Sequence, residues 1–249
     1  MSSDVVNLTY PEKNIALIAM EERTYRNTFS KALVQGLMTA FQQISENTAI
    51  KVVVLHGYDN YFCCGGTQEE LLNIYEGKIT FDDLAFYRLL LDCEVPTISA
   101  MQGHALGGGL AFGCYADTIV MAEESLYSAN FMKYGFTPGM GATYIIPYKF
   151  GSLLGHELLF SANNYHGGVL RERGISAKVV KKQAVISSAL ALARDLADKP
   201  LVSLKLLKAH LTDPIKQALP AIIEKELAMH EISFSQPEVR NRIETLFGR

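Results

Sequence analysis

A chain of 249 residues, 49% apolar and 20% charged, is long enough for one sizeable folded body with a substantial core. Its net charge of −3 excludes the basic footprint that nucleic-acid binding needs, and no apolar run reaches the length of a membrane span. The four cysteines (Cys63, Cys64, Cys93 and Cys114) show neither a disulfide framework nor a zinc-ligand spacing, and the opening M-S-S-D-V-V-N lacks the basic start and apolar run of a secretory leader. A soluble cytoplasmic protein with no metal and no cofactor is expected.

Taken in order, Val5–Tyr10 and Asn14–Met20 are β-branched runs separated by P-E-K-N and read as a hairpin. Ser30 caps an amphipathic helix to about Glu46, with Leu33, Leu37 and Phe41 at helical spacing. Ile50–His56 is a nearly continuous apolar strand, buried on both faces. The run F-C-C-G-G-T-Q-E-E then passes from a strand end through Gly65 and Gly66 into a helix that starts at Thr67. Gly77 breaks the helical stretch Leu71–Leu91 into two pieces. Pro96 opens the strand Thr97–Met101, and Gly107, Gly108 and Gly109 begin a helix of small residues. Glycines at a helix start let a ligand approach the backbone and aim unpaired N–H groups at it. That suits a phosphate, a carboxylate or an enolate oxygen, and tight helix–strand packing explains the glycines equally well. Two such strand–glycine–helix points could set two donors around one oxygen.

Asp117–Met121 and Leu126–Ala129 continue the strand–helix alternation of an α/β layout. The glycine- and proline-punctuated loop Phe131–Thr143 leads into a helix through Phe150, and Leu153–Phe160 is helical. Asn163–Gly168 reads as a turn and Gly174–Val180 as a short connection. Beyond that, Gln183–Ala197, Leu201–Leu211, Ile215–Phe234 and Glu238–Phe247 read as helices bounded or kinked by Pro200, Pro214, Pro220 and Pro237. Residues 1–182 are expected to form the core and 183–249 a C-terminal helical region.

Three pieces in order, Phe62–Gly66, the run Pro96–Asp117 with its A-L-G-G-G, and Gly135–Thr143, resemble the crotonase (enoyl-CoA hydratase/isomerase) superfamily. The resemblance implies an α/β crotonase (ClpP-like) spiral of ββα units with a helical trimerisation region, assembled as a homotrimer or a dimer of trimers. It also implies a bound acyl thioester whose carbonyl accepts the backbone N–H groups of Gly66 and Gly108. Hydratases of the family use two glutamates; at those positions stand Ala111 and Phe131, neither of which transfers a proton. An oxyanion hole without the water chemistry suits decarboxylation, in which charge develops on the thioester oxygen.

Gly65–Glu69, Met101–His104, Ala129–Thr143 and Glu226–His230 are similar in particular to the decarboxylating crotonases of polyketide β-branching cassettes. That group removes CO₂ from a 3-methylglutaconyl thioester on an acyl carrier protein to give a 3-methylcrotonyl group. It uses a lysine and a histidine at the carboxylate end, which fall here on Lys78 and His230 as the catalytic candidates. Tyr75, His104, Ala111 and Phe131 are expected at the substrate pocket. No base stands beside Cys63 or Cys64 to make a nucleophile. An acidic carrier protein, or CoA, would favour a basic rim, for which Lys149, Arg171, Arg173, Lys178, Lys181 and Lys182 are candidates. An enoyl thioester isomerase and a non-catalytic acyl-binding protein of the same fold are the alternatives.

Overall fold

The structure, a computed structural model, describes residues 5–79 and 86–247. The expected hairpin is strands β1 (Val6–Glu12) and β2 (Ile15–Met20), paired antiparallel, followed by helix α1 (Lys31–Glu46). Ser30 caps that helix by accepting the Leu33 N–H, and Leu33, Leu37, Ala40, Phe41 and Ile44 form its buried stripe.

Three successive units then repeat one path. Each leaves a first sheet, enters a second, and turns into a helix or helical turn. Strand β3 (Val52–His56) leads to β4 (Tyr61–Cys63) and helices α2 (Gln68–Tyr75) and α3 (Leu89–Asp92). The start of the apolar run expected before Leu91 lies outside the described residues. Strand β5 (Thr97–Met101) leads to β6 (His104–Leu106) and α4 (Gly108–Cys114). Strand β7 (Thr118–Ala122) leads to β8 (Leu126–Ser128), a 3₁₀ turn (Asn130–Tyr134) and α5 (Ala142–Phe150). Their first strands stack in parallel, as do their second strands, and the result is a spiral.

Helix α6 (Ser152–Ser161) follows, and the next segment departs from the sequence reading. The expected turn contains a two-residue strand β9 (Tyr165–His166) and the start of helix α7 (Gly167–Glu172), and the expected connection ends in strand β10 (Lys178–Val180). These strands are too short to carry a periodic signal; pairing with β8 and β7 makes them strands. The sheets run β1-β2-β3-β5-β7-β10 and β4-β6-β8-β9.

Helix α8 (Val185–Ala197) lays Val185, Ala189 and Ala193 on Ile15, Val52, Val54, Ile98, Ala100, Val120 and Ala122, covering one face of the six-stranded sheet. The opposite face meets the main core. Val52, Val53, Val54 and Leu55 are all fully buried, as an apolar strand between two layers requires.

The two helices expected around Pro214 and Pro220 are one helix, α9 (Leu201–Phe234). An interior proline costs about 3 kcal/mol of helix stability. The buried stripe Leu204, Lys208, Thr212, Ile215, Leu219, Glu226, His230 and Phe234 crosses both prolines without a break, and its packing offsets that cost. Helix α10 (Pro237–Leu246), with Pro237 in its first turn, closes the chain.

Candidate active site

Strands β4 and β6 are parallel neighbours, with Tyr61 opposite His104 and Cys63 opposite Ala105. Their C-terminal ends therefore lie side by side, and each ends in glycines that open a helix. At the first end, Gly65 has φ +82°, and its carbonyl accepts the Phe29 N–H at 2.8 Å. Because a trans peptide points its C=O and N–H in opposite directions, that bond turns the Gly66 N–H away from the Phe29 backbone. At the second end, Gly107 has φ +54°, and its carbonyl accepts the Leu110 and Ala111 N–H groups at 3.1 and 3.2 Å. The Gly108 N–H consequently points out of the start of α4. Neither N–H has an acceptor among the described residues.

The two loops touch. A Cβ built on Gly65 would lie 3.2 Å from the Gly108 nitrogen, and one on Gly109 only 2.1 Å from the Cys63 carbonyl oxygen. Gly109 is therefore a packing glycine. At Gly66 the surroundings are roomier: a Cβ there would meet nothing nearer than 3.6 Å. The protein itself makes no steric demand for glycine at position 66.

Gly66 and Gly108 both border one cavity. Its walls are largely apolar: Phe29, Leu71, Ile74, Phe131, Phe136, Met140 and Phe247, with Tyr134 and Asn130. Asn130 follows β8, so the cavity gathers the ends of three adjacent strands of the four-stranded sheet. Such a convergence at carboxyl ends of parallel strands is a common ligand location. Cys64 also borders the cavity, and burial pushes its thiol up to about 12, so it stays protonated and unreactive as a nucleophile. Burial raises Cys63 as well, and its Sγ donates to the Asn27 carbonyl.

Of the residues expected around the substrate, Gly66, Gly108 and Phe131 line this cavity. Ala111 is buried one turn inside α4, a helix enclosed on all sides. His104 stands in β6 with its ring T-shaped to that of Tyr61, and its Nδ1 accepts the Leu126 N–H at 3.0 Å. That acceptance fixes the hydrogen on Nε2, and the ring braces the second sheet away from the cavity. Tyr75 is half-buried at the end of α2, outside the cavity lining.

Lys78 lies outside the lining too, its side chain 63% exposed and its Nζ 2.6 Å from Glu76. The cause is local. Gly77, at φ +69°, is a helix-terminating glycine: its N–H bonds the Ile74 carbonyl and the Lys78 N–H bonds the Asn73 carbonyl, which is a Schellman stop. Gly77 is thus a fixed cap where the sequence suggested a flexible break.

His230 is buried behind the cavity. Its Nε2 donates to the Thr137 carbonyl at 2.8 Å, and its ring is T-shaped to Phe234, which stacks on the cavity residue Phe136. Burial lowers its pKa, partly offset by the carbonyl bond. Sequence reasoning missed the companions of this histidine on α9. Glu226 accepts the N–H groups of Gly141 and Thr143 at 2.7 and 2.9 Å and the Thr143 hydroxyl at 2.6 Å; Ser233 accepts the Thr137 N–H at 3.2 Å. Glu226, His230 and Ser233, spaced i, i+4, i+7, grip the loop that carries Phe136 and Met140 to the cavity. Glu226 also caps α5, a helix whose own N-cap residue is a glycine without a side chain.

The expected basic rim is largely engaged elsewhere. Arg171 and Lys181 both pair with Glu123, Arg173 pairs with Glu157, and Lys182 bonds Asn60. Lys149 donates to the carbonyls of Ala116 and Asp117. None of these side chains lines the cavity. Among the described residues no cluster of metal-ligating side chains occurs, and no helix is long and apolar enough to cross a membrane.

Paired backbone donors beside an apolar cavity, carried on a spiral of ββα units, mark a protein of the crotonase fold. The chain belongs to the enoyl-CoA hydratase/isomerase family, which it matches over residues 11–247. It is 49% identical over 248 residues to the bacillaene synthase decarboxylase PksI of Bacillus subtilis (strain 168), with all of both chains covered. It also resembles the mitochondrial methylglutaconyl-CoA hydratase of Rattus norvegicus at 25% identity, covering 98% of this chain and 79% of that one. Among solved structures, one from a dehydratase/decarboxylase enzyme couple of polyketide β-branching superposes with a TM-score of 0.97 at 49% identity, covering 99% of this chain and all of the other. The ECH2 decarboxylase domain of CurF from Lyngbya majuscula gives 0.93 at 42% identity, covering 98% and 99%.

Proposed function

We propose that this protein decarboxylates a 3-methylglutaconyl group, held as a thioester on an acyl carrier protein, to a 3-methylcrotonyl thioester. The observation that carries the proposal is the pair of fixed, unengaged N–H groups of Gly66 and Gly108 facing an apolar cavity that Phe131 helps to line. The near-full-length likeness to decarboxylases supports the same reading. The thioester oxygen accepts both N–H groups. The C–C bond to the carboxylate breaks, CO₂ leaves, and the electron pair moves through the conjugated system onto that oxygen as a dienolate. A proton then adds to the terminal carbon. Aimed in advance beside apolar walls, the two donors stabilise the charge where it develops. Ala111 and Phe131 supply no group to activate water, so hydration does not compete.

In this reading Lys78 serves the departing carboxylate and His230 acts at the same end. Reaching the substrate requires the Lys78 ammonium to leave Glu76, and an exposed pair of that kind holds with no more than about 1 kcal/mol. The proposed assembly is a homotrimer or dimer of trimers, and the proposed setting is the cytoplasm.

The test is incubation with 3-methylglutaconyl thioester, on a carrier protein and on CoA in parallel, followed by mass spectrometry. Loss of one CO₂ is the expected result. Unchanged mass with a moved double bond would make the protein an isomerase, and no change at all would make it a binding protein. Lys78→Ala and His230→Ala should each lower turnover by tenfold or more; full activity in both would remove them from the mechanism.

A further inference from the structure

We propose that Glu70 is a positioning residue for the oxyanion hole: its carboxylate fixes the peptide on the far side of Gly66 and so sets the direction of the Gly66 N–H. The inference rests on the role given above to that N–H. Glu70 is the one carboxylate lining the cavity among the described residues. Its Oε2 accepts both the Thr67 N–H, at 3.0 Å, and the Thr67 hydroxyl, at 3.1 Å. In return, the Thr67 Oγ1 accepts the Glu70 N–H at 3.1 Å, which completes a capping box at the start of α2.

The geometric consequence reaches past the helix cap. Gly66 is the joint between two peptide planes. The plane of residues 65 and 66 is held at the Gly65 carbonyl by the Phe29 N–H. The plane of residues 66 and 67 is held at the Thr67 N–H by Glu70. With both planes held, a glycine that could otherwise take many φ/ψ values has one. Without Glu70 the second plane is released, and only the Phe29 contact restrains the donor. Oε2 also lies 3.9 Å from where a Cβ of Gly66 would stand, so the anchor sits beside the donor it orients.

The conservative variant discriminates. In Glu70→Gln the amide oxygen still accepts both Thr67 groups, since Gln also completes a capping box; in Glu70→Ala both bonds are lost. Two readouts are needed. One is kcat and KM for decarboxylation. The other is the ¹³C NMR shift of carbonyl-labelled 3-methylcrotonyl-CoA bound to the protein, which reads polarisation of the thioester by the hole whether or not decarboxylation is the reaction. Removing a whole oxyanion donor costs about 10²–10³-fold in kcat, so releasing one should cost roughly tenfold. Expected are a roughly tenfold lower kcat in Glu70→Ala with little change in KM, a bound carbonyl shifted back toward its free value, and recovery of both in Glu70→Gln. A wild-type protein that polarises the carbonyl but releases no CO₂ would defeat the decarboxylase reading and leave this one standing. Equal polarisation in wild type and Glu70→Ala, or equal loss in Glu70→Gln and Glu70→Ala, would overturn it.

Discussion

Gly66 and Gly109 are glycines for opposite reasons, and substitution separates them. At Gly109 an added Cβ would stand 2.1 Å from a backbone carbonyl, so Gly109→Ala forces the strand and helix apart. We expect a loss of about 3 kcal/mol or more, read by chemical denaturation. At Gly66 the backbone needs no positive φ and the nearest atom to an added Cβ is 3.6 Å away. Gly66→Ala should unfold no more easily than the parent, since alanine restricts the unfolded chain by about 0.4–1 kcal/mol relative to glycine. It should nevertheless lose tenfold or more in turnover, because the methyl group takes up space in the cavity wall beside Leu71 and Glu70, next to the donor.

His230 gives a second test at this scale. Burial holds its folded pKa below the ordinary 6.5, so above pH 6.5 its contribution to stability is fully present. That contribution is lost as pH falls through the folded value, because the unfolded state then binds the extra proton. Thermal unfolding between pH 7 and 5 should show a falling midpoint, with a shallower fall in His230→Gln. Half-buried His56 and His104 are also depressed, so some slope should remain.

At the scale of elements, α9 does what its amphipathic pattern alone would not suggest. Its C-terminal half is a clamp on the loop before α5, with Glu226 supplying the cap that Gly141 lacks. In Glu226→Ala the buried N–H of Gly141 and the part-buried N–H of Thr143 lose their acceptor. A destabilisation of about 2–4 kcal/mol should result, measurable in urea. The loop carries Phe136 and Met140, so a raised KM for the acyl thioester should accompany it.

At the scale of the whole molecule, Lys208 joins the C-terminal helices to the spiral. Its Nζ, almost fully buried, donates to the carbonyls of Leu90 and Val95 and pairs with Asp117 at 2.9 Å; Asp117 also accepts the Thr97 N–H and hydroxyl. Breaking a buried pair by removing one partner costs about 3–5 kcal/mol. Lys208→Met should therefore lower the unfolding temperature sharply while leaving turnover near normal at low temperature. On the same helix Val202, Leu206, Leu207 and Leu211 are exposed, as are Leu153 and Phe160 on α6. A trimer would cover such a surface. Sedimentation equilibrium should return a multiple of three times the 27.5 kDa chain mass, and Leu206→Lys should reduce it.

By itself the sequence determined the α/β layout, the two strand–glycine–helix points and the absence of carboxylates at positions 111 and 131; the spiral came from the resemblance to the crotonases. These are local or periodic signals: apolar runs, caps and glycines at fixed offsets. It also misjudged what depends on distant partners. Whether Pro214 and Pro220 end a helix depends on the surface beneath them, and whether Lys178–Val180 is a strand depends on β7. The direction of Lys78 follows from a Schellman stop that one glycine allows but does not require, and His104 was drawn away by the Leu126 N–H in a neighbouring strand. Only the tertiary structure decided that Gly65 meets Gly108, because the parallel register of β4 and β6, and no spacing along the chain, sets two donors beside one cavity.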